Sequence, residues 1–234
     1  MEPKISISIA TYEAKGYGLT FIKKNVESFL NQTYQNIELV ISDHSIGDEI
    51  KDYILSLNNP KIVYIKNEND RGLQVENINN AISHCTGDYI KLMNHDDYME
   101  SNDSIEIGVK KIMNGAKWVI YSCKHLDYTK NEMSFFHTPR IENNGEHFLS
   151  GLNYVGCPSV GLIPKGYLLD TNVKYMGDCE LWYRLFTDLG YPSLVDGFKV
   201  VIGIGEHTLT HQFANKQSEM LQKDIDYCHL KYKK

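Results

Sequence analysis

The sequence is poor in cysteine and in basic residues, and it lacks a long apolar run. Its five cysteines are an odd number without a Cys-x-x-Cys pair, which excludes a disulfide framework and the usual spacing of zinc ligands and favours a reducing compartment. No segment approaches the roughly 20 apolar residues of a membrane span. Lys and Arg number 24 against 30 Asp and Glu. Because nucleic-acid binding requires a basic surface, this balance argues against nucleic acid as the main partner.

The two ends of the chain set further expectations. The first residues, 1–4, lead straight into a β-branched run without the pattern of a signal peptide, so we expect a cytoplasmic protein. The basic C-terminus, 231–234, admits a peripheral contact with the inner face of a membrane, but a solvated tail is the preferred interpretation. A chain of 234 residues lies within the range of one α/β domain.

Short β-branched runs alternate with segments of helical period through the first hundred residues. Such an alternation predicts an α/β fold in which a mostly parallel central sheet is covered by helices. The carboxyl ends of parallel strands meet at one edge of the sheet. Strands are predicted at 5–9, 37–42, 62–65 and 89–93, and the shared edge is predicted to carry Thr11, Asp43, Asp70 and Asp96.

An apolar run at 89–93 stops at the polar stretch Asn94-His95-Asp96-Asp97. Carboxylates at the carboxyl end of a buried strand lie where open α/β sheets bind their ligands. Adjacent oxygen ligands suit Mg²⁺ or Mn²⁺ bridging to a phosphate. The alternative is a polar turn that caps the next helix, since Asn and Asp are frequent in both roles.

Five motifs, in order, resemble glycosyltransferase family 2, whose members have the GT-A fold. The resemblance covers most of the chain, to about residue 211. The motifs are the strand end at 7–12, the Asn-Gln-Thr-Tyr segment within 29–38, Asp43, the segment 87–90 before Asn94-His95-Asp96, and the helix start at 178–185.

This resemblance implies a metal-dependent, inverting transferase. It would move a sugar from a nucleoside-diphosphate sugar, with UDP favoured, to a hydroxyl of a glycan or lipid-linked acceptor in surface polysaccharide or glycoconjugate synthesis. The implied domain spans residues 1–211, with a nucleotide-binding half at 1–98 and a smaller mixed half for the acceptor and the catalytic base at 99–211. Residues 212–234 are expected to form a helical tail that packs on the domain or on a second copy of the chain.

The resemblance also implies roles for single residues. Asp96 matches the ligand of Mn²⁺ or Mg²⁺, and Asp178 matches the catalytic base. The residues assigned to donor binding are Thr11, Tyr12, Glu13, Asp43, Arg71, Asn94 and His95. Each has a plainer alternative. An Asx turn would explain Asp43, ordinary packing would explain Tyr12, and a surface ion pair would explain Arg71.

Some positions depart from the family pattern. Asn94 replaces the first Asp of the metal-binding motif, although an amide still forms hydrogen bonds. Gly203 and Gly205 stand where relatives often have Arg and His, and His207 is a nearby substitute ligand unless it is simply solvated. These departures keep open a catalytically silent sugar-nucleotide-binding module. A sugar nucleotidyltransferase is a weaker alternative, since its Gly-rich, Lys-bearing first loop has only a faint counterpart at 13–18.

The second half is less regular. A helix is predicted at 103–113, a strand at 118–123 and an edge strand at 133–136. The apolar residues at 181–189 recur at helical spacing, which makes Trp182 a core residue and places Asp178 at the helix start, where an N-cap is its plain role. His207 and His211 have zinc spacing, but the intervening residues favour an extended chain, so no zinc site is predicted.

Overall fold

Strands and helices alternate along the first hundred residues, as predicted. The computed structural model describes residues 2–208, 211 and 217–232. The strands are β1 (Ile5–Thr11), β2 (Ile37–Asp43), β3 (Ile62–Lys66), β4 (Tyr89–Asn94), β5 (Tyr98–Met99), β6 (Val119–Asp127), β7 (Glu132–His137), β8 (Gly161–Pro164) and β9 (Ser193–Ile204). The α-helices are α1 (Gly18–Leu30), α2 (Glu49–Ser56), α3 (Gln74–Ser83), α4 (Ser104–Met113), α5 (Gly177–Leu189) and α6 (Gln217–Tyr232).

One sheet contains all of these strands, in the order β3-β2-β1-β4-β8-β6-β9-β5, with β7 paired to β6 at the side. Strands β1 to β4 are mutually parallel. Thr11 pairs with Asp43, and Ala10 pairs with Asn94, so these strands end at the same edge. The predictions of an α/β fold and of a shared edge are confirmed. Asp70, however, lies beyond the end of β3, in an exposed turn.

The second half of the sheet is mixed. Strand β8 runs antiparallel to β4 and β6, whereas β9 runs parallel to β6. The sequence did not indicate β9, because Gly197 and Phe198 interrupt it with positive φ angles of 88° and 53°. The partner strand β6 shifts register at the same level, between Tyr121 and Cys123. The irregularity hides the period of two that marks a strand.

The core extends across the whole sheet. Strands β1 and β2 are buried along almost their full length, as expected where helices cover both faces of parallel strands. Trp118 and Trp182 are fully buried, with stacked rings 6.0 Å apart, which confirms Trp182 as a core residue. Helix α5 begins at Gly177 with Met176 as its N-cap residue. Asp178 therefore lies in the first turn and is not the N-cap.

The C-terminal helix α6 packs on the domain. Its Asp224 is buried, and the Asp224 carboxylate accepts hydrogen bonds from the backbone N–H groups of residues 174–176, which precede α5. Lys231 is paired with Asp170 at 2.7 Å and with the buried Glu180 at 2.8 Å. The interpretation of a solvated basic tail is therefore wrong for Lys231.

Some expectations involve residues that the structure does not describe. Lys233 and Lys234 lie outside the described residues, and so do residues 209–210 between His207 and His211 and residues 212–216 at the expected domain boundary. Within the described part of the chain, none of the helices is long and apolar enough to cross a membrane.

Candidate functional site

The acidic stretch, residues 94–97 at the end of β4, contacts a histidine that lies near the end of the domain. Asp96 is 8% exposed, and its Oδ2 lies 2.8 Å from Nε2 of His207. The His207 ring packs against Phe21, with centroids 4.6 Å apart, and against Tyr128 at 5.7 Å. Tyr128 also donates a hydrogen bond to the backbone oxygen of Asp96. The interpretation of His207 as a solvated residue is therefore wrong, because it is buried beside the predicted metal ligand.

Gly203 lies against the acidic stretch, where the chain leaves no room for a side chain. Its backbone N–H donates to Oδ1 of Asp97 at 2.7 Å. A Cβ atom at 203 would lie only 2.7 Å from the backbone oxygen of Asp96, closer than real contacts allow. A glycine thus permits the backbone of β9 to approach the acidic stretch. The close approach also holds Asp97 in place.

Asp97 is fully enclosed behind Asp96. Burial, reinforced by the neighbouring Asp96 charge, raises the pKa of the Asp97 carboxyl well above its usual range. Asn94 donates from Nδ2 to Oδ2 of Asp97 at 3.1 Å. The structure therefore joins Asn94 to Asp97, and the departure from the family motif forms part of the packing at this edge.

Lys91 lies beneath this edge and was not singled out from the sequence. It is completely buried in β4, and its Nζ donates to the backbone oxygen of Ser159. Burial lowers the pKa of Lys91 to about 7. The hydroxyl of Ser159 accepts the backbone N–H of Asn94 at 2.9 Å. A lysine within an apolar strand was the signal that could have revealed this support.

Three residues assigned to donor binding come together at the end of β1. The hydroxyl of Thr11 lies 3.1 Å from Nδ1 of His95. The ring of Tyr12 stacks on that of His95 with centroids 5.0 Å apart and an interplanar angle of 18°. Tyr12 is 37% exposed, whereas Thr11 is fully buried. The arrangement presents one aromatic face to solvent at the sheet edge.

Asp43 ends β2 next to Thr11 and is fully buried. Its Oδ1 accepts the backbone N–H of Ser45 at 2.8 Å, which is the Asx turn considered above, and its Oδ2 accepts the hydroxyl of Tyr64 at 2.7 Å. Each carboxylate oxygen has two lone pairs. Each therefore retains capacity for a further donor, so the turn does not exclude a ligand.

A cavity of about 340 Å³ opens beside this strand end. Glu13 lines it, and its carboxylate accepts the backbone N–H of Ile46. The lining residues are Glu13, Gly16, Leu19, Ser45, Gly47, Glu49 and Ile50. Glu13 thus shapes the loop that borders the cavity. The Asp43 carboxylate is hydrogen-bonded to the backbone N–H of Ser45, which is one of the lining residues.

Arg71 stands apart from this cluster. Its guanidinium lies 3.7 Å from the Glu68 carboxylate, and its side chain is 36% exposed. Its charge helps to lower the pKa of the buried His44, although burial is the larger cause. The surface ion pair considered from the sequence is therefore present, and it orients Arg71 within the loop before α3.

Asn77 links the ends of β1 and β2 by hydrogen bonds, and it was not identified from the sequence. Its Nδ2 donates to the backbone oxygens of Thr11 and Ser42, both at 3.2 Å, and its Oδ1 accepts the hydroxyl of Ser42 at 2.6 Å. Asn77 lies on α3 beside the buried Ile78. A polar residue on the apolar face of a helix was the available signal.

Asp178 occupies the other side of the site, in the first turn of α5. Its Oδ2 accepts the Asn153 amide at 2.6 Å and its Oδ1 accepts the backbone N–H of Cys179 at 2.8 Å. Burial raises the pKa of Asp178 to about 6, and these hydrogen bonds partly oppose the rise. The loop 153–157 lies between Asp178 and the acidic stretch, where Cys157 Sγ is 3.8 Å from Asp97 Oδ2.

Asp96 and His207 are the two side chains that could share a cation. Within the described residues, no group of three His, Cys, Asp or Glu is placed to hold a metal ion. A complete protein cage is not required, because Mg²⁺ at phosphate sites commonly uses one or two carboxylates and takes its other ligands from phosphates and water. An oxygen ligand beside an imidazole fits Mn²⁺ as well.

Comparison with known proteins shows the family of the chain. Residues 6–167 match the family described as glycosyl transferase family 2, which is more than half of the chain. The chain belongs to that family. The family match includes the end of β1, Asp43 and the acidic stretch, but it stops before Asp178 and His207.

Curated relatives and solved structures extend the comparison. "Uncharacterized glycosyltransferase RT0329" of Rickettsia typhi is 27% identical over 78% of this chain, which spans 58% of that relative's length. The Escherichia coli protein "UDP-Glc:alpha-D-GlcNAc-diphosphoundecaprenol beta-1,3-glucosyltransferase WfaP" is 38% identical over 40% of this chain and 36% of its own length. S. aureus TarS 1-349 in complex with UDP has a TM-score of 0.65 at 12% identity, covering 98% of this chain and 72% of TarS 1-349. That likeness confirms the GT-A fold.

Proposed function

We propose that this family 2 member is a metal-dependent, inverting glycosyltransferase. It moves a sugar from a nucleoside-diphosphate sugar, with UDP favoured, to a hydroxyl of a glycan or lipid-linked acceptor in surface polysaccharide or glycoconjugate synthesis. The observation that carries the proposal is the pairing of Asp96 with His207 at 2.8 Å. The pair lies at the sheet edge where open α/β folds bind ligands.

The donor nucleotide binds along the ends of β1 and β2. Asp43 accepts the N–H of a uracil ring through its remaining lone pairs, and the Tyr12–His95 stack offers an aromatic face. TarS was solved in complex with UDP, and the name of WfaP specifies a UDP-glucose donor. Both names support a uridine nucleotide. Arg71 is the least supported contact, because its guanidinium already faces Glu68.

A divalent cation would be held by Asp96 and His207 together with the diphosphate. Mn²⁺ or Mg²⁺ supplies charge neutralisation for the departing nucleoside diphosphate. Asp96 contributes a carboxylate oxygen and His207 a ring nitrogen, which requires neutral imidazole. Phe21 and Tyr128 pack against the ring of His207 and hold it beside Asp96.

Asp178 acts as the general base. It accepts the proton of the acceptor hydroxyl while that oxygen forms a bond to the anomeric carbon, and the bond from this carbon to the diphosphate breaks. A pKa of about 6 leaves the carboxylate ionised at neutral pH while making it a stronger base than an exposed aspartate. Single displacement at the anomeric carbon inverts its configuration.

The acceptor is a glycan or a lipid-linked glycan. WfaP, by its name, acts on an acceptor linked to diphosphoundecaprenol, which supports the lipid-linked class. Such an acceptor would bring the protein into peripheral association with the cytoplasmic face of a membrane. Self-association through α6 stays a prediction. Its buried residues Asp224 and Cys228 face the domain, so a second copy would contact the other face of the helix.

A catalytically silent nucleotide-binding module remains the second candidate. It is favoured by one observation, that Asn94 replaces a carboxylate and donates its amide to Asp97. The two candidates differ in whether the bound donor reacts. Slow, metal-dependent hydrolysis of the donor is expected of the transferase, because water can replace the acceptor, but not of the silent module.

A panel of nucleoside diphosphates and their sugars tests the proposal. Each is added with and without Mn²⁺, and the melting temperature is recorded, because a ligand that binds only the folded state raises it. We expect the largest rise with a uridine nucleotide and Mn²⁺. Donor hydrolysis is then followed for the ligands that bind. Binding without hydrolysis would favour the silent module, and no binding at all would contradict both candidates.

A further inference from the structure

The amide of Asn153 is saturated with hydrogen bonds. Its Nδ2 donates to Oδ2 of Asp178 at 2.6 Å and to the backbone oxygen of Gly156 at 3.0 Å. Its Oδ1 accepts the backbone N–H groups of Val155 at 3.0 Å and Gly156 at 2.8 Å. An amide offers two donors and two acceptor lone pairs, so all four are used. A flipped amide would face the carboxylate with its oxygen, which fixes the orientation.

Trp182 lies one helical turn after Asp178 and makes a second contact between α5 and the loop. Its indole N–H donates to the backbone oxygen of Gly156 at 2.9 Å. Residues four apart lie on one face of a helix, so Asp178 and Trp182 present the same face of α5 to the loop. Gly156 has a φ of 117°, a conformation that L side chains rarely adopt. The loop is thus held to α5 at two points.

The loop also reaches the acidic stretch. Cys157, which follows Gly156, places its Sγ 3.8 Å from Oδ2 of Asp97. One short segment therefore touches the carboxyl group proposed as the base and the residue next to the proposed metal ligand. Any shift of this loop relative to α5 would change the position of Asp178 relative to the donor.

We propose that Asn153 is a positioning residue that fixes the orientation of Asp178 and keeps its carboxylate ionised at neutral pH. The inference rests on the proposed function for the identity of the base, but the contact itself is a property of the folded chain. A hydrogen bond donated to a carboxylate favours its charged form, whereas burial favours the neutral form. Asn153 is the stronger of two side-chain donors that oppose the effect of burial on the pKa of Asp178, and the Cys179 thiol is the weaker one.

Among the residues that the structure describes, no charged side chain contributes to the pKa shift of Asp178. The titratable groups that face Asp178 are Cys157 in the loop, Tyr175 before α5, and Cys179 in α5. Burial raises the pKa of each of the three, so all stay neutral near pH 7. The protonation of Asp178 therefore depends mainly on its burial and on the donors of Asn153 and of the Cys179 backbone.

Two substitutions separate the donor from the loop contacts. Asn153→Ala removes all four hydrogen bonds. Asn153→Asp keeps an oxygen that can accept the N–H groups of Val155 and Gly156, but it replaces the donor by a second carboxylate beside Asp178. Like charges at this distance cannot both ionise easily. We expect the pKa of Asp178 to rise by about one unit in Asn153→Ala and further in Asn153→Asp.

The pKa is measured by titrating the ¹³C carboxyl signal of Asp178 by NMR, with Asp178→Asn providing the assignment. This measurement needs no substrate and stays valid if the proposed function fails. An unchanged Asp178 pKa in both variants would overturn the inference. A pKa that rises in Asn153→Asp but not in Asn153→Ala would also overturn it, because the added charge alone would then explain the rise.

The second measurement is the pH profile of Mn²⁺-dependent hydrolysis of UDP-glucose, UDP-galactose, UDP-N-acetylglucosamine and UDP-N-acetylgalactosamine. In both variants the acidic limb should move to higher pH, with rates returning towards wild type in alkali. A merely structural role predicts an equal loss at every pH and would contradict the inference. If the wild type hydrolyses none of the four, the proposed function fails and the NMR result alone decides on Asn153.

Gln32→Ala is the matched control. The Gln32 amide also makes three hydrogen bonds to the backbone, two from Nε2 to residues 28 and 101 and one from residue 105 to Oε1. It binds no carboxylate. We expect its loss to lower stability without moving the pKa of Asp178. A comparable pKa shift in Gln32→Ala would show that general loosening, and not the Asn153 donor, is responsible.

Discussion

The ring of His207 lies 2.8 Å from the Asp96 carboxylate although 111 residues separate the two in the chain. Asp96 follows β4, whereas His207 follows β9 at the far end of the domain. The sheet brings them together because β9 runs back beside β6 and donates the N–H of Gly203 to Asp97. The pair brings together an oxygen and a nitrogen atom from distant parts of the chain, the two atoms that we propose as cation ligands.

We expect Asp96→Ala to abolish the gain in nucleotide affinity that Mn²⁺ confers, because the substitution removes the only carboxylate of the pair. His207→Ala should reduce that gain by about 10–100-fold. Isothermal titration calorimetry with UDP, with and without Mn²⁺, measures both. Asp88→Ala is the control, since Asp88 precedes β4 at the opposite edge of the sheet. Metal-dependent binding that survives in Asp96→Ala would disprove the metal site.

Asp43→Asn should weaken UDP about 10–100-fold while affecting CDP less, because uracil has an N–H at ring position N3 that a carboxylate can accept, whereas N3 of cytosine carries no hydrogen. An asparagine can still accept the N–H of Ser45 through its oxygen. Affinities of the two nucleotides are compared by calorimetry. Tyr64→Phe is the control, since it retains the carboxylate. Equal losses for both nucleotides would make Asp43 a structural residue.

Asp178→Asn should lower donor hydrolysis and transfer by roughly 10²–10⁴-fold, the usual contribution of a positioned general base. Asparagine keeps the size of the side chain but accepts no proton. Its single oxygen can accept either the Cys179 N–H or the Asn153 amide, and the loss of a buried charge offsets the contact that is lost. Donor affinity and melting temperature should therefore change little. Near-normal turnover together with a loss of stability of about 1 kcal/mol would indicate a mere helix-terminal role.

The rate of donor hydrolysis should fall as the pH decreases below about 6. The folded pKa of Asp178 is raised to about 6 by burial, and a protonated carboxyl cannot accept a further proton. Above this pH the carboxylate is ionised and the rate should be level. The profile is recorded at saturating Mn²⁺ and donor from about pH 4.5 to about pH 8, a range that brackets the pKa of Asp178. An acidic limb that persists unchanged in Asp178→Asn would assign it to another group.

Asp224→Ala should lower the free energy of unfolding by about 3 kcal/mol, because the buried N–H groups of residues 174–176 lose the carboxylate that accepts them. Urea denaturation measures the change, and the exposed Asp226 on the same helix provides the control Asp226→Ala. A loss below about 0.5 kcal/mol would show that α6 contributes little to the domain. Such a result would favour the alternative that the tail expected at 212–234 packs on a second copy of the chain.

Most of the strands and helices in residues 1–98 were predictable from the local sequence pattern. Runs rich in isoleucine and valine specify β1 to β4, because β-branched side chains favour extended backbone and pack well in sheets. Four strands separated by helices allow few topologies. Asp43 and Asp96 therefore had to lie at one edge, and the sequence determined this without knowledge of any distant contact.

The partners of those residues depended on tertiary structure. His207 and Asn153 carry no distinctive local pattern, and the irregular β9 that delivers His207 conceals its period of two. Asn77 and Lys91 interrupt apolar patterns and could have been noticed, but the sequence did not reveal the groups that they contact. Asp224 shows the same limitation, because its buried carboxylate is satisfied by groups about 50 residues earlier in the chain. Local sterics determined where each strand begins and ends. Only the pairing of the strands and the docking of α6 decided which polar groups face each other, across 111 residues for Asp96 and His207 and across 50 for Lys174 and Asp224.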